Sequence, residues 1–225
     1  MQEKIEIIHP CGPIVVKRKM PKEIIDAFNH YADQIVENDN ALVELDVQHI
    51  LAGKLRHEFA IKEEMLLKHW DWFSDGIKAY LEYFSNKRPD AFPNSMYFVE
   101  PASCWVNSSY AGDYNPTHHH QGQCTMVGVG YLKVPDWDDE HKLEEQSGDG
   151  YAAAGHLELF HGQAEQFVSH QMRIKPEVGD FYIWPAGTLH AVWPFRSPGE
   201  RRSIAINYKL SNMTKAMPPE DGIAE

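Results

Sequence analysis

The sequence predicts a mainly β protein with flanking N-terminal helices, whose strands form a sandwich, a barrel or a double-sheet jelly roll. Before about residue 93, apolar residues recur at helical spacing; after Ser95, short strand-like runs are separated by turn residues. Eight such runs fit into about 115 residues, a density typical of these folds. The predicted strands are 96–99, 103–108, 124–134, 156–161, 167–174, 180–184, 189–193 and 201–209.

The first 93 residues predict one strand and two supporting helices. The short β-branched run 14–19 indicates a strand, and Pro21 starts a helix that ends at Asn38–Asn40. A longer aromatic-rich helix is predicted over 63–86, where it would face either the barrel or a partner chain. The segment 43–60, interrupted by a glycine, fits neither pattern.

The length of 225 residues is compatible with one large domain, and a single domain is expected. Its parts would be an N-terminal strand and support helices at 1–93, a catalytic core at 94–210 and a C-terminal tail at 211–225. The acidic, glycine-bearing stretch 136–155 predicts a loop, either mobile beside a site or simply solvated.

Charge and cysteine usage exclude several classes of function. The 33 acidic residues outnumber the 21 basic ones, for a formal net charge of -12, which disfavours nucleic-acid binding as the main function. The sequence contains neither a run of 18 apolar residues nor a signal peptide, so no membrane span is expected. Three isolated cysteines, Cys11, Cys104 and Cys124, favour a reducing cytoplasm.

Three histidines are candidates for a metal site. In an extended chain, His118 and His120 lie on one side, about 7 Å apart in Cα, and His119 points away. His190 follows the turn 185–187 at the start of a later strand. Such histidines are often core or loop residues, but a jelly roll can bring all three together as a metal site with open, catalytic positions.

The last predicted strand carries two adjacent arginines on opposite faces. Strand alternation places Arg201 with Ser203, Ala205 and Asn207 toward the interior. Arg202 shares the apolar face, so its stem is expected to pack on the outer layer while its head reaches water. An interior arginine needs an anionic partner, either a structural carboxylate or a dicarboxylic co-substrate.

Taken together, the His-x-His pair, the block 179–194 and the block 200–207 resemble the Fe(II)- and 2-oxoglutarate-dependent oxygenases. With Trp105–Asn107 and 130–135, they are similar to a group of oxygenases common in phages and marine bacteria, over roughly residues 95–210. The resemblance implies a double-stranded β-helix, the jelly-roll barrel of that family. It also implies oxidative decarboxylation of 2-oxoglutarate coupled to oxidation of an unknown substrate, either a small molecule or a protein side chain.

Carried over residue by residue, the resemblance implies that His118, His120 and His190 hold Fe(II). It further implies that Arg201 with Ser203 binds 2-oxoglutarate. One position departs from the family pattern, because His120 stands where a carboxylate is usual. Hydrogen bonds to the co-substrate or around the metal ligands are expected from three further residues, Asn107, Tyr110 and Asn115.

Two alternatives share the same barrel. The segments 112–120 and 179–190 also resemble the two cupin motifs, which would give a three-histidine dioxygenase without 2-oxoglutarate. A non-catalytic metal-binding jelly-roll protein is the other alternative. The sequence leaves the oligomeric state open, including a homo-oligomer, and the expected location is the cytoplasm, or the host cytoplasm for a phage-encoded protein.

Overall fold

A computed structural model describes residues 5–8, 12–48, 53–87, 97–147, 154–164, 166 and 170–212. The helices are α1 (Lys22–Val36), α2 (Asp39–Leu45), α3 (Glu63–Leu67), α4 (Trp70–Lys87) and α5 (Trp137–Ser147). The strands are β1 (Glu6–Ile8), β2 (Val15–Lys19), β3 (His57–Ala60), β4 (Tyr97–Ser109), β5 (Asn115–His118), β6 (Met126–Lys133), β7 (Leu157–Phe160), β8 (Gln171–Ile174), β9 (Asp180–Pro185), β10 (Leu189–Val192) and β11 (Arg201–Asn212).

The strands form two antiparallel sheets. The larger has the order β1-β2-β9-β6-β11-β4-β3, and the smaller has the order β5-β10-β7-β8. Several neighbouring strands are distant in sequence, as in β11 between β4 and β6. This mainly β, two-sheet architecture confirms the predicted jelly-roll fold.

The two sheets enclose one part of the core. Val127 and Trp184 of the large sheet belong to the same buried cluster as Leu157 and Leu159 of the small sheet. Strand alternation sends the neighbouring residues of the large sheet to its other face. The space between the sheets is therefore partly apolar, and the polar residues of the site occupy the rest of it.

Helices cover the outer face of the large sheet. In α1, Ile24, Phe28, Ala32 and Ile35 are buried at the spacing of one helical face. They share a core cluster with Ile204 of β11, which lies on the face that the sequence predicts to pack outward. The cluster holds the outer face of β11, the strand that carries both arginines, against the helices.

The aromatic helix faces the barrel. Phe73 of α4 packs against Phe181 of β9, with ring centroids 5.4 Å apart. Gly76 allows this approach, because an added Cβ would lie 2.4 Å from the Cδ1 of Ile183. The helix predicted over 63–86 is divided by a short break between α3 and α4. Among the described residues, no helix is long and apolar enough to cross a membrane.

Several boundaries differ from the sequence predictions. The predicted strands 96–99 and 103–108 belong to one long strand, β4, because β11 pairs with it from Tyr97 to Ser109. The segment 43–60 contains α2 and β3. Part of the predicted strand 167–174 and most of the predicted tail 211–225 lie outside the described residues.

The prediction of a loop over 136–155 is wrong for its first half, which forms α5. Three acidic residues occupy the first turn of this helix, where they complement the positive end of the helix dipole. The buried Glu140 also accepts the backbone N–H groups of Arg196 (2.7 Å) and Ser197 (2.6 Å). These long-range contacts stabilise a helix that local composition alone does not predict.

Candidate metal centre

Two of the predicted metal ligands lie directly opposite each other in the small sheet. His118 ends β5, and His190 is its register partner on β10. Their ring centroids are 4.2 Å apart. The antiparallel pairing of β5 with β10 therefore brings together two histidines that are far apart in the sequence.

The third histidine lies just after β5. The backbone N–H of His120 donates to the carbonyl oxygen of Ala186 (2.8 Å), which holds this segment against the turn before β10. Its ring lies 5.2 Å from that of His118 and 5.3 Å from that of His190, measured between centroids. His119 is exposed, as the alternation of side chains predicts.

Backbone carbonyls orient two of the three rings. Nδ1 of His118 donates to the carbonyl oxygen of Pro116 (2.8 Å), and Nδ1 of His190 donates to that of Thr188 (3.0 Å). Each ring therefore keeps Nε2 unprotonated and available to a metal. Nδ1 of His120 is buried without a hydrogen-bond partner.

Burial keeps the three imidazoles neutral. Desolvation, with the neighbouring His118, lowers the pKa of His120 to about 4, and the same two causes lower the pKa of His190 to about 3. Desolvation also lowers the pKa of His118. Neutral imidazole is the form that binds metals.

The donor set fits a divalent transition metal. The three histidines each offer a nitrogen within 4.8 Å of the others. Three neutral nitrogen donors on one side of an ion suit iron or its neighbours and leave further positions for other ligands. The partnerless Nδ1 of the buried His120 is the kind of atom that a bound ion would satisfy.

An inner cavity extends from these histidines between the two sheets. Its polar lining includes Asn107, Asn115, Tyr131, Arg201 and Ser203. Arg201, Ser203 and Ala205 face this cavity, while Ile204 and Ile206 pack in the outer core. The predicted face assignment of β11 therefore agrees with the structure.

Arg201 is a buried cation with an unsatisfied donor. Its side chain is 2% exposed, and Nη1 donates to the carbonyl oxygens of Gly155 (2.9 Å) and Trp193 (3.0 Å). Nη2 is buried without a partner, and no carboxylate of the described residues forms an ion pair with Arg201. Desolvation lowers its pKa to about 10, so the group remains charged at neutral pH. A ligand carboxylate would supply the missing acceptor.

The expectation that the head of Arg202 reaches water is wrong. Arg202 is 4% exposed, and its guanidinium donates two hydrogen bonds to Glu200, at 2.7 and 3.0 Å. It also pairs with Asp33 of α1 (2.7 Å). Arg202 is thus a structural arginine that ties the start of β11 to α1.

The other predicted site residues separate into two groups. Asn107 and Asn115 line the inner cavity, as Ser203 does, and the Asn107 Oδ1 is buried without a partner. Tyr110 does not line it; its ring lies under the Arg56 guanidinium carbon, 5.1 Å from the ring centroid. Tyr110 follows the end of β4 in a turn, where strand alternation no longer predicts direction.

A wider outer cavity of about 310 Å³ meets the inner one at the histidines. Both are lined by Trp105, Asn115, His118 and His120. The outer cavity is also lined by Glu58, which no sequence motif predicts as a site residue. The short strand β3 that carries Glu58 lies in a segment without clear periodicity, so no local signal was available.

Comparisons with known proteins agree with this geometry. Residues 103–207 match the model of the family described as "Putative 2OG-Fe(II) oxygenase". The fold is similar to that of a Pseudomonas putida prolyl-4-hydroxylase, with a TM-score of 0.54, 13% identity and coverage of 87% of this chain and 91% of that one.

A second similar structure is a Trichoplax adhaerens prolyl hydroxylase in complex with a peptide fragment of the hypoxia inducible factor oxygen degradation domain. Its TM-score is 0.51 at 13% identity, with coverage of 91% of this chain and 83% of that one. No curated protein matches the sequence.

The matched segment, residues 103–207, contains the three histidines and Arg201, so the family match agrees with the resemblance seen in the sequence motifs. Together with the jelly roll, this match supports an oxygenase of the 2-oxoglutarate class. The match implies Fe(II) as the cofactor and 2-oxoglutarate as the co-substrate.

Proposed function

We propose that His118, His120 and His190 hold Fe(II), and that Arg201 with Ser203 binds the distal carboxylate of 2-oxoglutarate in the inner cavity. The observation that carries this assignment is the partnerless, buried Nη2 of Arg201 in the same cavity as the histidines. A guanidinium and a carboxylate match as a two-point contact, and burial strengthens the pair. Asn107 and Asn115 are the proposed hydrogen-bonding residues beside the co-substrate.

Bound Fe(II) and 2-oxoglutarate supply the oxidising chemistry, in which 2-oxoglutarate is converted to succinate and carbon dioxide and the substrate is oxidised with dioxygen. The chain positions and shields these groups. The carbonyls of Pro116 and Thr188 fix the rings of His118 and His190. Val127, Val129 and Leu157 line the inner cavity and limit the access of water.

The arginine bears on the choice between this function and the two alternatives, because neither a three-histidine cupin-type dioxygenase nor a non-catalytic metal-binding protein requires a cation beside its metal. Arg201 makes no ion pair among the described residues, although the Asp113 carboxylate raises its pKa against the desolvation that lowers it. A buried charge without an ion-pair partner lowers stability unless a ligand satisfies it. Arg201 therefore favours a site that is completed by an anionic co-substrate.

The substrate is proposed to enter the outer cavity, either as a small molecule or as a protein side chain. A protein with the same fold binds a peptide fragment, which supports the second class. A cytoplasmic location is proposed from the thiols of Cys104 and Cys124, both of which are free.

The direct test is the conversion of 2-oxoglutarate by the purified protein. We expect Fe(II)- and dioxygen-dependent formation of succinate, slow in the absence of substrate. Calorimetric titration with Mn(II) in place of iron should show 2-oxoglutarate binding at one site. Metal binding with neither succinate formation nor 2-oxoglutarate binding would contradict the proposed function.

The His120→Asp variant tests the unusual ligand. We expect it to retain its fold, Fe(II) binding and 2-oxoglutarate conversion, because a carboxylate oxygen can replace the imidazole nitrogen at a position where the family usually has a carboxylate. The His120→Ala variant, which provides no donor, is the matched control and should lose iron. Metal analysis of both variants after anaerobic loading would decide; equal iron retention in the two would remove His120 from the ligand set.

A further inference from the structure

Glu58 is an acidic residue that the reaction described above does not use. It lies on β3 at the edge of the large sheet, is 3% exposed, and lines the outer cavity beside the metal-site histidines. Its Oε2 is buried without a hydrogen-bond partner, and no cation of the described residues forms an ion pair with it. A buried carboxyl oxygen without a partner destabilises the folded state, so its presence calls for a physical reason.

The register of the large sheet shows where Glu58 points. Glu58 is opposite Asn107 of β4, Asn107 is opposite Ser203 of β11, and Ser203 is opposite Tyr131 of β6. Residues directly opposite each other in a sheet share a face. Asn107, Ser203 and Tyr131 line the inner cavity, so this row of side chains continues across the interior and ends at Glu58 in the outer cavity.

The two cavities differ in the charged groups that line them. The inner cavity contains the guanidinium of Arg201, whereas the described lining of the outer cavity contains the Glu58 carboxyl and no lysine or arginine. An anionic co-substrate is therefore drawn to the inner cavity, and a cation that enters the outer cavity would favour the ionised form of Glu58.

We propose that the outer cavity binds a substrate side chain that ends in a cationic nitrogen group, an ammonium or a guanidinium, and that Glu58 is the specificity-determining residue that pairs with it. This inference rests on the proposed function. Ammonium and guanidinium groups carry only donors, which match the partnerless acceptor oxygen of Glu58. The net charge of -12 adds long-range attraction for a cation.

The raised pKa of Glu58 is expected for a buried carboxyl that has no cation beside it. Desolvation, reinforced by the Asp46 carboxylate, raises the pKa of Glu58 to about 8. The folded protein thus holds this proton to higher pH than the unfolded chain does. Ionisation therefore destabilises wild type as the pH rises from the ordinary glutamate range to about 8. The Glu58→Gln variant should be at least as resistant to thermal unfolding at pH 8 as wild type.

The test compares charged probes with neutral ones of matched shape. Blocked lysine and arginine amides, with norleucine and citrulline amides as their neutral counterparts, would be titrated calorimetrically into the protein with Mn(II) and 2-oxoglutarate, and again without them. The unblocked amino acids and short peptides containing them would distinguish a small-molecule substrate from a protein side chain. We expect at least one cationic probe to bind about ten- to a hundredfold more tightly than its neutral match.

The Glu58→Gln variant should abolish that preference while leaving 2-oxoglutarate affinity unchanged. Glu44→Gln, which removes an exposed carboxylate from α2, is the matched control and should keep the preference. Equal affinity for charged and neutral probes, or a preference that survives in the Glu58→Gln variant, would overturn the proposal. The titration with 2-oxoglutarate tests the proposed function by itself. If it shows no 2-oxoglutarate binding, the proposed function fails, while the comparison of charged and neutral probes still tests the role of Glu58.

Discussion

Replacing His190 with alanine is expected to abolish stoichiometric Fe(II) binding. His190 is almost fully buried, and its oriented ring faces His118 across a strand pair, so no other described side chain can take its place. The loss of one of three protein ligands should weaken Fe(II) binding by more than about 100-fold, beyond the typical effect of losing a residue that only orients a ligand. Metal analysis after anaerobic loading and desalting would measure it.

His119→Ala is the matched control. His119 lies between two proposed ligands in the sequence but is exposed, and its Nδ1 accepts the backbone N–H of Gln121 at 3.2 Å. The variant should bind one equivalent of iron, as wild type does. Full iron occupancy in the His190 variant, or its loss in the His119 variant, would show that the metal lies elsewhere.

Replacing Arg201 with alanine is expected to weaken 2-oxoglutarate binding by roughly 30- to 1000-fold, or about 2–4 kcal/mol, the range for a buried charge-assisted contact. The guanidinium is held by the carbonyls of Gly155 and Trp193, its Nη2 is buried without a partner, and the residue lines the inner cavity. Calorimetric titration with Mn(II) in place of iron would measure the loss without turnover. Metal affinity should change little, because Arg201 is not a metal ligand.

The neighbouring arginine provides the comparison. Arg202→Ala removes a buried pair with Glu200 and a contact with Asp33, so it should lower the free energy of unfolding by about 3–5 kcal/mol. Its 2-oxoglutarate affinity, measured where the variant is folded, should change by less than about tenfold.

Arg201→Lys keeps the charge but not the two-point geometry, so its 2-oxoglutarate affinity should fall between those of wild type and Arg201→Ala. A larger loss of 2-oxoglutarate affinity in Arg202→Ala would contradict the assignment of faces on β11.

The parts of the site that the sequence predicts well depend on short-range periodicity. Side chains alternate along a strand, so the division of β11 into an inner face with Arg201 and an outer face with Ile204 could be predicted without a structure. The same rule separates His118 and His120 from His119, although β5 ends at His118 and the turn contacts of His120 complete the arrangement.

The parts that could not be predicted depend on contacts between distant segments. Asp33, which lies on α1, reaches the guanidinium of Arg202 only because α1 packs on the outer face of the large sheet. Glu58 enters the interior because β3 pairs with the edge of β4, and its short strand carries no distinctive pattern. The helix α5 is likewise held by the hydrogen bonds that Glu140 accepts from the backbone N–H groups of Arg196 and Ser197.

The central claim is that three histidines and Arg201 together build one site for Fe(II) and 2-oxoglutarate. Anaerobic titration of the metal-free protein, first with Fe(II) and then with 2-oxoglutarate, tests it most directly through the visible metal-to-ligand charge-transfer band. We predict a band that requires both components and saturates at one Fe(II) per chain. In Arg201→Ala, forming the same band should require a much higher 2-oxoglutarate concentration. Fe(II) bound at one equivalent with no band at any 2-oxoglutarate concentration would contradict the claim.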